Sequence, residues 1–262
     1  YLAGNDITNG QSNSILGANA GDAITTGALN TYVGTFAGSA STTVSNNTAI
    51  GAFAFDAGTG GDNTAVGSGA LGGSSNSATA NVALGKDAGN SISSGSYNTI
   101  AGALAGDGIT SGDHNTAMGY NALGANTVGD RTVAIGSGAL RLQNPATNTD
   151  MYNTAVGYDA GQAVTTGSEN TLIGGLSGDA ITTGASNVAL GVSSLGANTV
   201  GSKTVAIGNQ ALTAQNYGTA TDSLNTAVGF QAGLSVTTGI RNTIVGGNAG
   251  DALTDADKNT VV

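Results

Sequence analysis

Apolar and polar residues alternate over a short stretch that returns about every 17 residues along this chain. The stretch reads Asn-Thr-Ala-Val-Gly or a close variant, and its last residue is called the anchor glycine. A fixed period of this size indicates stacked supersecondary units, each too small to bury its apolar face alone. The anchor glycines are Gly17, Gly34, Gly51, Gly67, Gly85, Gly102, Gly119, Gly136, Gly157, Gly174, Gly191, Gly208, Gly229 and Gly246.

Positions of the repeat are numbered from the anchor glycine. Position −1 is Leu, Val, Ile or Met except at Ala101, position −3 is Thr, Ser or Val, and position −2 is mostly Ala. This alternation, rich in β-branched residues, predicts a short strand in which positions −1 and −3 share one face. We expect position −1 to be the aliphatic core position. Position +3 is always Ala or Ser and is therefore crowded, either inside the coil or against a neighbouring chain.

Glycine recurs at the anchor and, in many repeats, ten residues later, as at Gly27 and Gly167. Both positions suit turns with positive φ, where a Cβ atom would clash. Two short strands and two turns in each repeat predict an all-β fold, a parallel β-solenoid of about 15 coils. Helical repeats need about 33 residues or more for two helices, and glycine at this density would break those helices.

Asparagine occupies position −4 in most repeats, which predicts a ladder of buried amides that fixes the register of the coils. Thr132 and Thr204 stand at this position in two repeats, and we expect the ladder to be interrupted there. The asparagines are Asn13, Asn30, Asn47, Asn63, Asn81, Asn98, Asn115, Asn153, Asn170, Asn187, Asn225, Asn242 and Asn259.

The 17-residue repeats are themselves grouped into a longer repeat of four coils. Residues 81–152 and 153–224 are parallel super-repeats, residues 13–80 are a shortened version, and residues 225–262 are a partial one. Each full super-repeat ends in an extended loop, 141–152 or 213–224. Insertions in repeat proteins often gather on the binding face, so Pro145, Tyr152 and Tyr217 are the candidate binding residues. We expect residues 1–262 to be one continuous array and a segment of a longer fibre, because both ends fall inside a repeat.

Composition narrows the possible partners. The chain has 45 glycines, one proline, no cysteine and a formal charge of −10, with 39% apolar residues. Evenly spaced apolar residues argue against disorder, and the missing three-residue glycine period excludes collagen. The negative charge makes nucleic-acid binding unfavourable. No apolar run reaches the length of a membrane span, so we expect none within this segment.

Residues with catalytic chemistry are scarce. His114 is the only histidine and Glu169 the only glutamate, and we interpret His114 as a solvated turn residue. Aspartate stands at position +5 in five repeats, and three of these residues, Asp107, Asp179 and Asp251, are four coils apart, which is too far for them to bind one calcium ion. We interpret all five, which include Asp22 and Asp56, as solvated turn residues. We expect no enzyme, no catalytic residue, no cofactor and no metal. The aromatic residues at position +1 are expected to cap coil edges or fill grooves between subunits: Tyr120, Tyr158 and Phe230.

The segments 132–136 and 204–208, both Thr-Val-Ala-Ile-Gly, make the chain resemble the head repeats of YadA-like trimeric adhesins. Similar arrays occur in phage-type tail-fibre proteins. The resemblance implies a left-handed parallel β-roll, three chains around one axis, and an adhesive or fibrous role outside the cell. The coils of this chain are longer than those of the family.

These observations favour a non-catalytic structural or adhesive segment of an extracellular fibre, on a cell surface or virion. The expected partners are two further copies of the chain and a host-surface, matrix or glycan receptor. A phage-type tail-fibre shaft is the alternative within this class. Ice binding is the alternative from another class, because stacked threonines on a flat solenoid face can order water, although the repeat has no Thr-x-Thr.

Overall fold

The computed structural model describes residues 2–73 and 76–262. The described residues are all-β, without a helix, and the chain forms two compact units, residues 1–130 and 131–262. Each unit contains a ladder of short parallel strands that recurs once per coil, so the predicted parallel β-solenoid is confirmed. The expectation of two strands per coil is wrong for most coils, because turns and bends fill the remainder of the coil.

In the first unit, strands β1 to β7 pair in parallel in chain order. Equivalent repeat positions face each other, so that Ser14 pairs with Thr31 and Leu16 with Val33. The strands are β1 Ser14–Leu16, β2 Thr31–Val33, β3 Thr48–Ile50, β4 Thr64–Val66, β5 Val82–Leu84, β6 Thr99–Ala101, β7 Thr116–Met118 and the short β8 Gly129–Asp130.

In the second unit, the same register joins β9, β11, β12, β13, β15, β17, β18 and β19 in parallel. A two-residue pair, β14 with β16, accompanies the second extended loop. The strands are β9 Val133–Ile135, β10 Thr149–Asp150, β11 Thr154–Val156, β12 Thr171–Ile173, β13 Val188–Leu190, β14 Gly201–Ser202, β15 Val205–Ile207, β16 Thr221–Asp222, β17 Thr226–Val228, β18 Thr243–Val245 and β19 Thr260–Val261.

The inner face of the strands carries position −2, not position −1. Ala155, Leu172 and Ala189 have no exposed surface, whereas Ile173 and Leu190 at position −1 are exposed. The prediction that position −1 is the core column is therefore wrong. Positions −1 and −3 do share a face, as expected from the alternation, but that face points to solvent.

The interior is completed by positions +3, +4 and +7. The crowded Ala/Ser position, for example Ala160 and Ser177, is fully buried inside its own coil, which resolves the alternative left open by the sequence. Position +4 is glycine where position −2 of that coil or the next is large. A Cβ atom at Gly38 would lie 2.5 Å from the Tyr32 ring. Leucine, or phenylalanine at Phe55, fills position +4 where position −2 is alanine in both that coil and the next, as for Leu195, so the core volume is conserved.

The anchor glycines have φ angles of +127° to +142°. A Cβ atom at Gly174 would lie 2.6 Å from the carbonyl carbon of Gly191 in the next coil, so both conformation and space require glycine. The second glycine has a different cause, and its predicted positive φ is wrong. Gly167 lacks a positive φ, but a Cβ atom there would lie 2.3 Å from the Gly184 carbonyl oxygen.

The predicted amide ladder is present. In the first unit, Asn98 Nδ2 donates to Asn81 Oδ1 at 3.1 Å, and the Asn98 backbone N–H donates to the same oxygen at 2.9 Å. In the second unit, Asn187 Nδ2 donates in the same way to Asn170 Oδ1 at 3.1 Å. These side chains are almost fully buried, and their hydrogen bonds offset the cost of removing amides from water.

The interruption expected at Thr132 and Thr204 is confirmed, and a glutamine bridges each gap. Gln143 Nε2 donates to Thr132 Oγ1 at 2.9 Å, while its Oε1 accepts from Asn153 Nδ2 at 2.8 Å. Gln215 makes the equivalent pair with Thr204 at 3.0 Å and with the next asparagine, Asn225, at 2.8 Å. Both glutamines occupy position +7, where Val164 and Ile181 stand in other coils.

Candidate functional site

The most extended candidate site is the outward column at position −1, which we call the aliphatic stripe. Its side chains come from consecutive strands in register, so they form a continuous row at intervals of about 4.8 Å in each unit. None of its members is buried. The stripe consists of Leu16, Val33, Ile50, Val66, Leu84, Ala101 and Met118 in the first unit, and of Ile135, Val156, Ile173, Leu190, Ile207, Val228 and Val245 in the second.

The strands leave the aliphatic residues outside for a geometric reason. Successive side chains of a strand point to opposite faces, and the buried Asn at position −4 requires position −2 to share the inner face. Positions −3 and −1 must then point outward. Leu190 is 44% exposed, and its neighbours in the ladder, Ile173 and Ile207, lie on the same outer face.

The margins of this outer face differ from its centre. The Thr column at position −3 flanks the stripe along one side, as at Thr154 and Thr171, and is partly exposed. On the other side, beyond the anchor glycine, Tyr120, Tyr158 and Phe230 are exposed. A hydrogen bond and the charge of Asp159 raise the pKa of the Tyr158 hydroxyl. Within this single chain the aromatic rings do not pack into the coil, so their expected role at subunit grooves stays a prediction.

The structure separates the three candidate binding residues of the extended loops. Tyr152 is 54% exposed, whereas Tyr217 is 6% exposed and Pro145 is buried. The Tyr217 hydroxyl donates to the Gly239 carbonyl oxygen at 3.0 Å. Pro145 and Tyr217 occupy the same repeat position and pack inside the coil, so neither side chain is available to a partner. The longest fully exposed runs of the loops are residues 146–148 and 218–220.

An ion pair at the base of each loop joins consecutive coils of the second unit. Arg131 pairs with Asp150, and Lys203 Nζ lies 2.6 Å from Asp222 Oδ2 in the equivalent place. The Tyr152 hydroxyl donates to Asp150 Oδ2 at 3.0 Å, so the exposed ring is held beside the first of these pairs. Exposed ion pairs of this kind contribute little to stability, and their arrangement orients the loop base.

The interpretation of the position +5 aspartates as solvated is only partly right. Asp22 is half-buried and Asp251 is exposed, but burial raises the pKa of Asp56, Asp107 and Asp179. Backbone hydrogen bonds oppose these increases. The charge of Asp87 adds to the increase at Asp107, as Asp159 does at Asp179.

His114 is exposed and stacks on the Tyr97 ring, with ring centroids 5.0 Å apart, in agreement with its interpretation as a turn residue. Within residues 2–73 and 76–262, no group of three or more His, Cys, Asp or Glu side chains is arranged to hold a metal ion. The same residues contain no helix with the length and hydrophobicity needed to span a bilayer.

Comparison of the chain with protein-family models, curated proteins and solved structures finds no match. The resemblance to adhesin and tail-fibre repeats therefore depends on the repeated phrase alone.

Sequence reasoning missed the aliphatic stripe because it assigned the largest apolar side chains to the core. One signal was available. Position −2 carries Ile15, Tyr32, Ile100, Leu172 and Ile244 as its exceptions to alanine, and glycine stands at position +4 of each of these coils. Such exchange of volume between two positions is expected only where they share an interior.

Proposed function

We propose that this chain is a non-catalytic segment of an extracellular fibre, in which copies of the chain associate through the aliphatic stripe. The observation that carries the proposal is the outward row of Val, Ile, Leu and Met side chains, in which Ala101 is the one smaller member. Large contiguous apolar patches on soluble proteins mark interaction sites. The row has the period of the coils, so an equally periodic partner matches it, and a second copy of the chain has that period.

The energetic gain from association accumulates along the row. Covering the exposed two-fifths of one such side chain contributes on the order of 1 kcal/mol. Several side chains per unit, such as Leu84, Met118 and Leu190, are available for this contact. The gain offsets the entropy lost on association only when many coils engage together, which favours a long parallel assembly.

Three copies are the stoichiometry that we propose, on the basis of the resemblance to trimeric adhesin and tail-fibre repeats. In this arrangement the stripes face a common axis, and the loop segments 146–148 and 218–220 point to the periphery. The proposed partners of the periphery are host-surface, matrix or glycan receptors, with the fibre on a cell surface or a virion. A phage-type tail-fibre shaft uses the same assembly.

The test is the mass of the assembly in solution, measured by sedimentation equilibrium. We expect three times the mass of the chain. Ile173→Thr combined with Leu190→Thr keeps β-forming residues but removes apolar area from the stripe, and this variant is expected to dissociate more readily on dilution. Leu224→Asn is the matched control, because Leu224 is an exposed leucine of the same unit outside the stripe. A native chain that stays monomeric at high concentration contradicts the proposal.

Ice binding is the second candidate, and one observation favours it. The Thr and aliphatic columns form one regular outward face in each unit, as at Thr171 and Ile173. Such a face presents hydroxyl and methyl groups at fixed intervals to water. A monomeric chain with thermal hysteresis would favour ice binding over association, whereas an associated chain without hysteresis would exclude it.

A further inference from the structure

A groove of about 280 Å³ opens on the first unit, and none of its lining residues is a member of the aliphatic stripe. It is lined by Asp6, Asp22, Ala23, Phe36, Ser39 and Ala40, which belong to three consecutive coils. Its lining includes two carboxylates and one aromatic ring, and the other three side chains are small. Asn5 Nδ2 donates to Asp6 Oδ1 at 3.0 Å, and Ser39 Oγ donates to the Asp56 carbonyl oxygen at 3.2 Å.

The Phe36 ring lines this groove and stacks on a second aromatic ring. It stacks on Phe53 from the following coil, with centroids 5.4 Å apart and an interplanar angle of 11°. Asp6 and Asp22 come from the two preceding coils, on the other side of Phe36 along the solenoid. One face of the ring is thus covered by Phe53, and the coils that carry Asp22 and Asp6 lie on the opposite side of the ring along the solenoid.

We propose that this groove binds the alkylammonium group of a small organic cation, placed between Phe36 and the carboxylates of Asp6 and Asp22. The negative face of an aromatic ring attracts ammonium groups within about 6 Å, and the attraction strengthens as water is excluded. Two carboxylates beside the ring add Coulombic attraction and accept hydrogen bonds from a primary ammonium. A groove of this size holds one such group but not a large ligand.

Comparison with the equivalent positions of the next super-repeat supports a specific role. Four coils along the chain, Asn90 stands at the position of Asp22, and Leu104 at the position of Phe36. The solenoid therefore accommodates a neutral amide and an aliphatic side chain at these positions. The charge and the aromatic ring are not required by the fold, and they occur together in the groove.

The charge of the surrounding unit has the sign that this ligand requires. Residues 1–130 contain eight aspartates against one lysine, Lys86, whereas residues 131–262 contain eight acidic against five basic residues. The excess of negative charge in the first unit raises the local concentration of cations. None of the groove residues belongs to the aliphatic stripe, so the inference is independent of self-association.

The experiment is a titration of the full chain with choline and with n-butylammonium, followed by saturation-transfer difference NMR. The neutral carbon analogue of choline, 3,3-dimethylbutan-1-ol, is titrated in parallel. We expect saturable binding of at least one cation, and the two cations distinguish a quaternary from a primary ligand. The alcohol is expected to bind at least about tenfold more weakly, because it lacks the charge.

The test variant is Asp22→Asn with Phe36→Leu, which copies the residues at the equivalent positions of the next super-repeat. We expect its affinity for the cation to fall about tenfold or more. Asp62→Asn removes the same charge outside the groove and is expected to leave the affinity within about twofold. Thermal melts establish that each variant is folded, and Asp22→Asn alone replaces the double variant if that one unfolds. Absence of saturable cation binding, equal binding of the alcohol, or unchanged affinity in the test variant would overturn the proposal.

Discussion

The inner and outer faces of the strands are built from residues that hydrophobicity alone would place the other way round. The inner face carries mostly alanine at position −2, while the outer face carries valine, isoleucine and leucine at position −1. The inner face is fully buried and the outer face is not. In a coil this short, the interior also holds the Asn ladder and the side chains of positions +3, +4 and +7, so little volume remains for position −2.

This difference indicates that the strands serve two packing surfaces. The inner surface is complete within one chain and is matched in volume from coil to coil. The outer surface is regular and apolar, and the described residues of its own unit leave it exposed; the self-association proposed above assigns it a partner.

The largest expected loss of stability comes from a substitution at an anchor glycine. Gly174→Ala places a Cβ atom 2.6 Å from the backbone of the next coil at a φ of +133°, so either the coil or the next one must shift. We expect a loss of about 4 kcal/mol or more of unfolding free energy, measured by denaturant unfolding.

The adjacent residue is the control for this prediction. Gly175 has no positive φ, and a Cβ atom there would meet its nearest neighbour only at 4.0 Å. Gly175→Ala is therefore expected to change the stability by less than about 1 kcal/mol. Equal effects of the two substitutions would show that the anchor position is not specifically constrained.

The assignment of faces is tested by two leucines of one coil. Leu195 at position +4 is fully buried, whereas Leu190 in the stripe is 44% exposed. We expect Leu195→Ala to destabilise the chain by about 3 kcal/mol through lost burial and a cavity. Leu190→Ala removes less buried area and is expected to cost about 1 kcal/mol or less.

This comparison requires conditions in which the chain is dissociated, because association adds burial at Leu190. Denaturant unfolding at low protein concentration provides them. A larger loss for Leu190→Ala than for Leu195→Ala would reverse the assignment of inner and outer faces.

A smaller effect is expected at the glutamine that bridges the amide ladder. Gln215→Leu introduces an aliphatic side chain, as found at Val236 and Leu253 at the same repeat position. The substitution removes the hydrogen bonds to Thr204 and Asn225. We expect a loss of about 1 to 2 kcal/mol, because buried polar groups lose partners. Gln231→Leu at a half-buried position outside the ladder is the control, and an equal loss there would argue against the bridge.

The smallest expected effect is a loss of stability at high pH that is caused by the buried tyrosines. Burial raises the pKa of Tyr32 and of Tyr217 to about 12, against an ordinary value of about 10, although hydrogen bonds from neighbouring side chains oppose the increase. Because the folded-state pKa is the higher one, the contribution of these two tyrosines to stability is fully present below about pH 10 and is lost as the pH rises from about 10 to 12. Tyr217→Phe should lose less stability between pH 9 and pH 11 in denaturant unfolding. An identical loss in the variant and the native chain would show that Tyr217 does not titrate in this range.

Much of the fold was predictable from the repeat. In-register coils place equivalent residues next to each other, so the Asn column predicted the ladder, and Thr132 and Thr204 predicted its interruptions. The extended loops were predictable as loops, but the burial of Pro145 and Tyr217 was not, because proline and tyrosine occur both inside and outside coils. The bridging role of Gln143 and Gln215 depends on contacts across 10 and 11 residues that the repeat pattern does not contain.

The sequence by itself determined the period, the position of the main strand of each coil, the turn at each anchor glycine and the amide column, because all of these follow from chemistry that recurs at fixed spacing. Only the tertiary structure decided which face of each strand is inside. Alternation divides a strand into two faces but does not say which of them is enclosed. The enclosed face is selected by the volume available inside the coil. That volume fits alanine at position −2 with leucine at position +4, or leucine at position −2 with glycine at position +4. It excludes the larger side chains of the aliphatic stripe.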